Sequence, residues 1–413
     1  MTTHDEPSLA PEPVPPAIEA SLRELLFQDN GEVHYSEAEH ARRRDLLAEH
    51  CKDRGLEYVI VFSSPGRSSA LTWWSEWRVT NEAVLVMRPD RPEDDVLLVQ
   101  YFNHVPLAKE MSRTPQVRWG GNSTLVSLLG LLEERSPGQG SIGYLGPLPY
   151  GSGRELAAKF GQLTDLNLAY AGWRLTKSPE ELQWFRLAAR LTDLGAEALE
   201  RQVRPGMTER DLGAIVEAAY LPFGATNAIH YFSINDQSHP GVGVPRQFPS
   251  TRVLSDEDVV SAELSANYAE HNGQVLRTYT FSDSLDGIFG ELHDVAVAAF
   301  EAIERLIRPG VSLLELVAAS AVIEQAGFTT IDDLIHGYGG GYFEPILGST
   351  SRTHRPVPAD LLQEGQMLVV QPNVVTTDHR AGVQTGECLV VGKQGAERLH
   401  RVPRGLRRFN GHH

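Results

Sequence analysis

The chain has 413 residues, 41 % of them apolar, a formal net charge of −17 and two cysteines. That length and apolar share can bury more than one core, so two domains are expected, while the acidic balance excludes general binding to a nucleic-acid backbone, which needs a basic stripe. There is no run of 18 or more apolar residues, and the opening MTTHDEPSLAPEPVPP has neither a basic segment nor an apolar core, so no membrane span or secretion is expected and the chain is placed in the cytoplasm.

Residues 1–17, rich in Pro and Glu, read as a disordered tail. A first domain is expected over residues 18–176. In it the short apolar runs EYVIVFSSP, EAVLVMRP and DDVLLVQYF alternate with amphipathic stretches such as EAEHARRRDLLAEHCKDRG, the pattern of a mixed α/β domain. Cys51 and Cys388 show no paired spacing for a metal or a disulfide framework and read as buried thiols. A second domain, residues 177–400, opens on KSPEELQWFRLAARLTDLGAEALERQV. Ser178 is placed to N-cap, Pro179 suits the first turn, Glu181 completes a capping box, and Leu182, Phe185, Ala189, Leu191 and Leu194 recur at helical spacing. The basic run at residues 401–413 is read as a solvated tail or a subunit contact.

The second domain repeats itself. RPGMTERDL at Arg204–Leu212 and RPGVSLLEL at Arg308–Leu316 lie 104 positions apart, each a Pro-Gly turn followed by a capping-box start, Thr208/Asp211 and Ser312/Glu315. Each leads to an apolar helix, a histidine (His230, His336) and a strand-like run, VVSAELSANY or MLVVQPNVV, in which Glu263 and Gln371 hold equivalent places. Two such halves facing each other bring these residues into one central pocket. Glu263 sits inside an apolar run where an unpartnered carboxylate is expensive to bury, and Gln371, between Val370 and Pro372, needs partners for its amide. His271, His293, His354 and His379 lack a second ligand one helical turn away and read as surface or core.

With KSPEEL, HGYGGG and the paired strands, the segment from Lys177 to about His400 resembles the creatinase/aminopeptidase P family, which includes Xaa-Pro dipeptidases; a weaker likeness runs over Glu57–Thr176. The resemblance implies an N-terminal α/β domain, a C-terminal pita-bread domain with an internal pseudo-twofold repeat, and a homodimer. In the metallopeptidase members two divalent ions are held by two Asp eleven residues apart, a His before a Gly-rich turn, and two Glu on later strands. The matching positions here are Glu263, Gln274, His336, Gln371 and Gly386, with Glu387 adjacent to the last but alternating to the other strand face. Two carboxylates have become amides and a third has lost its side chain, so no metal is assigned and the remaining donors suit at most one weakly held divalent ion.

Creatinase is a family precedent for metal-free hydrolysis by a histidine, and its histidine position matches His239 in SINDQSHPGVGVP. It also holds its substrate's guanidinium with a glutamate where Leu276 stands here, which argues against creatine. A second histidine of the metallopeptidases is replaced by Phe343. The expected catalytic set is thus His239, Glu263 and His336. The expected substrate-binding set is His230, Gln274, Arg277, Tyr338, Phe343, Gln371 and Gln384. The leading expectation is a metal-independent hydrolase of a C–N bond in a small polar nitrogen-containing substrate. Two alternatives stand beside it: an Xaa-Pro dipeptidase or aminopeptidase with a degenerate metal site, and a ligand-binding pseudoenzyme.

Overall fold

A computed structural model describes residues 19–63, 70–352 and 356–410. The expected disordered tail at 1–17 and His354 lie outside the described residues. The first sheet is built from β1 (Tyr58–Ser63), β2 (Ala83–Met87), β3 (Val96–Val99), β4 (Gln116–Trp119), β5 (Ile142–Leu145) and β6 (Thr164–Asp165) in the order β4-β3-β2-β1-β5-β6, with parallel and antiparallel neighbours. Both its faces are covered, which is why its strands read as continuous apolar runs. Val59 and Val61 pack with Trp73, Trp74 and Trp77 on one side, and Ile60 and Phe62 with Leu128 and Leu132 on the other. The mixed α/β reading holds.

The second sheet carries the duplication. Its strands are β7 (Thr226–Asp236), β8 (Asp258–Tyr268), β9 (His271–Asn272) and β10 (Val275–Thr280) from one half. From the other half come β12 (Ile335–Tyr338), β13 (Tyr342–Leu347), β14 (Met367–Val370) and β17 (Gly386–Val391), while β11 (Thr329–Thr330), β15 (Asn373–Val375) and β16 (Gly382–Gln384) form a small separate sheet. In the main order, β13-β12-β14-β17-β10-β8-β7, the six strands inside the edge strand β13 read the same from either end once β12, β14 and β17 are equated with β7, β8 and β10. Helices Pro179–Gln202 and Glu209–Tyr220 bury Leu191, Leu212 and Val216 against one half. Helices Gly287–Glu304 and Leu313–Ala319 bury Leu292, Ala296 and Leu316 against the other. The capping boxes at Ser178/Glu181, Thr208/Asp211 and Ser312/Glu315 are all present.

Two expectations change. The C-terminal basic run is not a solvated tail through its described part: just after β18 (Ala396–Arg398), which pairs with β17, the run itself adds β19 (Arg407–Arg408) to β10. There Arg404 meets Glu304 at 2.7 Å, Arg407 meets Glu200 at 2.7 Å, and Phe409 is buried against Tyr279. The acids that neutralise this run lie far away in sequence, and folding brings them to it. At the other end, the first described helix, Ala20–Phe27, places Leu26 in the core around Trp184 rather than among the first-sheet residues.

Glu181 joins the two parts. Besides capping its own helix it accepts from Trp73 Nε1 at 2.7 Å and lies 3.5 Å from Arg43. Burial opposes its ionisation, but Arg43, the Ser178 N–H and the Trp73 N–H outweigh burial and hold the carboxyl down at about 2. Nearby, Tyr35 Oη lies 2.7 Å from His271 Nε2, so His271 is a bonded core histidine, as expected.

Candidate active site

A buried group of polar side chains gathers where β8, β10, β12 and the turn after β14 converge. Gln274, which precedes β10, donates from Nε2 to Glu263 Oε1 at 2.7 Å and to Gln371 Oε1 at 3.3 Å. Gln371 donates from its own amide nitrogen to the Asp333 carbonyl at 3.1 Å. Gln384, at the end of β16, donates to Asp332 Oδ2 at 3.3 Å and lies beside Glu263. The His336 ring sits next to Gln371, with Nδ1 2.9 Å from the Gly337 carbonyl. A carbonyl can only accept, so Nδ1 carries the proton and Nε2 is a bare lone pair. Thus Glu263, Gln274, His336, Gln371 and Gln384, five of the residues expected from sequence, are brought together.

The electrostatics of this group follow from burial. Glu263 is pushed up to about 8, first by burial and then by the Asp332 carboxyl, against the hydrogen bonds from Gln384 and Gln274. Burial raises Asp332 as well. His336 is pushed down to about 4 by burial and stays neutral. Three buried acceptors have no protein partner: Gln274 Oε1, Gln384 Oε1 and His336 Nε2. Each such atom costs about 1–3 kcal/mol if nothing reaches it.

Sequence reasoning missed Asp332, Asp333, Tyr231 and Tyr342. Tyr231 is the register partner of Glu263 across β7 and β8. Tyr342 stacks on the His336 ring at 3.7 Å between centroids and directs its hydroxyl to Asp333 at 3.2 Å. The available signal was the acid pair immediately before LIHG, which reads alone as a turn, and the two-residue alternation that puts Tyr231 rather than His230 on the Glu263 face.

The other expected residues lie elsewhere. His230 stands 2.8 Å from Glu217 on the neighbouring helix and packs over Gly213. The ladder pairs His336 with Val369 and Ser233 with Ser261, so it is Ser233 that occupies the repeat position of His336. His239 is 85 % exposed at its side chain, with Asp236 at 3.8 Å, and bonds none of the five pocket side chains. Its loop is held instead by Asn235, whose Oδ1 accepts from the Gly241 and Val242 N–H groups. Arg277 is 1 % exposed and spends its donors on Glu387 at 2.6 Å and on the carbonyls of Leu276, Gly386, Val402 and Pro403, so it does not face a substrate. Glu387, as strand alternation predicts, is on that other side, gripped also by Arg398 at 2.6 Å and Arg404 at 2.9 Å; burial opposes its ionisation but these cations hold it at about 2. Tyr338 is buried beside His336, its hydroxyl 2.8 Å from Ser265 Oγ, so it forms wall rather than a free contact. Phe343 lies under the cations of Arg174 and Lys177 at 5.1 and 5.7 Å, outside the acid–amide group.

A two-domain α/β protein whose duplicated sheet closes around a buried acid–amide–histidine group has the architecture of a pita-bread hydrolase. The sequence profile of metallopeptidase family M24 matches residues 183–393. The chain belongs to that family and is, at that level, a hydrolase of C–N bonds. An Xaa-Pro dipeptidase of Pyrococcus furiosus is 23 % identical over 73 % of this chain and 83 % of its own length. A methionine aminopeptidase of Staphylococcus epidermidis is 26 % identical over 49 % of this chain and 82 % of its own. Among solved structures, the prolidase of Pyrococcus horikoshii superposes with a TM-score of 0.74 at 20 % identity, covering 88 % of this chain and 99 % of that one, and carries the fold comparison.

The family implies a pair of divalent cations, and the donors present do not fit a pair. Two adjacent dications need several carboxylates to neutralise and bridge them. Here amides stand at Gln274 and Gln371, Gly386 offers no side chain, and Glu387 is spent on three arginines. Among the described residues no three His, Cys, Asp or Glu side chains gather as a metal-holding group. No helix of the described residues is long and apolar enough to cross a membrane.

Proposed function

We propose that this protein is a peptidase of small substrates, cleaving the C–N bond of a dipeptide-like molecule in the manner of the Xaa-Pro dipeptidases and aminopeptidases that it resembles. The observation that carries this reading is the pairing of the buried Glu263 with the half-buried Asp332, bridged by the Gln384 amide. A carboxyl raised toward neutrality is matched to taking a proton from water and handing it to a leaving amine. Glu263 takes both roles, Gln274 holds its carboxyl in place, and Tyr231 across the strand pair offers an O–H donor to the oxygen that gains charge. The creatinase-like variant of this chemistry loses its histidine, because His239 stands outside the group.

The reading is tested by incubating purified protein with a panel of Xaa-Pro and other dipeptides, with metal content measured in the same preparation. Hydrolysis that falls at least a hundredfold in Glu263→Gln supports it. Absence of turnover across the panel, with and without added Mn²⁺, would sink it.

A further inference from the structure

We infer that Arg174 is a positioning residue of the site: from the end of the first domain it fixes the turn Gly339–Gly341, and through that turn it sets the ring of Tyr342 on His336. This rests on the proposed function only in taking the group around His336 as the place of reaction.

The turn has little of its own to hold it. Gly339, Gly340 and Gly341 have φ of +150°, +73° and +146°, backbone that side chains rarely adopt, and three glycines in a row lose more conformational freedom on ordering than any other residues would. Within itself the turn is closed by the Gly339 N–H on the Gly341 carbonyl at 3.2 Å. Just before it, the ladder between β12 and β13 shifts register between His336 and Gly337. A fixed turn here needs contacts from outside.

Arg174 supplies them. It is 6 % exposed, donates from Nη2 to the Gly339 carbonyl at 2.7 Å and from Nη1 to Tyr170 Oη at 2.8 Å, and lies 5.1 Å from the Phe343 ring. One planar group thus touches the first residue of the turn and the strand just beyond it. A lysine could put its ammonium on one of these acceptors, whereas spanning both takes the guanidinium fork. The turn is also tightly packed: a Cβ built on Gly339 would come within 2.7 Å of Lys177 Cε, and one on Gly340 within 2.8 Å of the Glu270 carbonyl oxygen and 2.9 Å of Arg174 Nη2. The hold is anchored in the first domain, where Tyr170 meets Trp73 edge-on at 5.5 Å and Thr72 donates to Glu270 Oε1 at 2.9 Å. On the other side the turn leads directly into Tyr342, whose ring lies 3.7 Å from that of His336 and whose hydroxyl reaches Asp333.

The test follows the His336 ring by NMR of the full chain carrying ¹³C-labelled histidine. His336→Gln assigns the signal, and Tyr342→Leu calibrates the shift that loss of the stacked ring produces. Arg174→Lys should move the His336 signal at least half as far as Tyr342→Leu does, while His400, bonded to Asp193, keeps its place. On a dipeptide that the parent cleaves, kcat should fall at least about tenfold with KM within about threefold. Tyr170→Phe keeps the ring in its core and removes the hydroxyl that anchors Arg174, so it should move the His336 signal in the same direction; if Arg174→Lys does not melt cooperatively, Tyr170→Phe alone decides. A His336 signal at its parental position in both variants overturns the inference. So does one that moves only together with the His400 signal, the mark of general loosening, and so does an unchanged kcat in a variant whose His336 signal has moved. A parent that cleaves no dipeptide removes the proposed function, and the shifts still decide whether Arg174 places Tyr342; turnover with an unmoved His336 signal does the reverse.

Discussion

Gln274 donates its amide N–H to Glu263 at 2.7 Å across the eleven residues that separate them, a bond that two carboxylates in the same places could not make. The amide therefore does two things at once: it brings no charge of its own and it holds the Glu263 carboxyl in place.

From this follows the effect of Gln274→Glu. The substitution is close to isosteric but replaces a donor with a second anion facing Glu263 and the Gln371 oxygen. Without divalent ions the variant should lose about 1–3 kcal/mol of stability. Mn²⁺ should restore part of that loss by binding the folded state. Thermal melts with EDTA and with Mn²⁺ give the answer, and a variant indifferent to Mn²⁺ would show that the amide is not what separates this pocket from a metal site.

How far the sequence could be read depends on the range of each interaction. The capping boxes at Ser178, Thr208 and Ser312 are contacts over three residues, so pattern alone locates them. The pairing of Glu263 with Gln371 follows from the repeat and survives in the sheet order. Strand register is a property of the ladder, and a shift of three residues separates His230 from Ser233, the true counterpart of His336. Asp332 is absent from the sequence reading because its importance comes from Gln384, 52 positions away. The same holds for the arginines after Leu399, whose partners Glu200 and Glu304 are drawn in by the fold.

His239 and Glu263 separate the two candidates for the base. With its side chain 85 % exposed and outside the acid–amide group, His239→Ala should leave kcat/KM within about twofold of the parent and the melting temperature unchanged. Glu263→Gln should remove turnover while preserving the fold, since the amide keeps the shape and accepts the same Gln274 N–H. Steady-state kinetics on both variants distinguishes them. A large loss in His239→Ala would place the base in that loop.

Glu387 serves as a structural counterpart to the pocket. Removing it in Glu387→Ala leaves Arg277 buried without its carboxylate, a break of the kind that costs about 3–5 kcal/mol. The folded fraction should nevertheless retain its activity, because Glu387 points to the arginines and not to Glu263. Activity normalised to folded protein is the readout, and a selective loss of kcat at unchanged folded fraction would return Glu387 to the site.

Glu181 sets a pH dependence for the junction between the first sheet and the duplicated domain. Its folded carboxyl is held at about 2, below the ordinary value of 4.5, because Arg43, the Ser178 N–H and the Trp73 N–H outweigh the burial that opposes ionisation. A depressed acid contributes its stability above the unfolded value and loses it as pH falls toward the folded one. The stability that Glu181 supplies is thus complete at pH 6 and drains away between about 4.5 and 2. In Glu181→Gln one of the two oxygens that accept from Trp73 and Ser178 becomes an NH₂ group, so one of those bonds is lost at every pH, and the charge facing Arg43 is gone as well. The variant should therefore melt lower than the parent at pH 6, and the gap should narrow as the pH drops through 4 to 3. Trp73 and Trp74, packed edge to face at the first-sheet side of this junction, give a fluorescence signal for following it. A gap that stays constant from pH 6 to pH 3 would mean that Glu181 acts through its hydrogen bonds alone and that its charge contributes nothing to holding the two parts together.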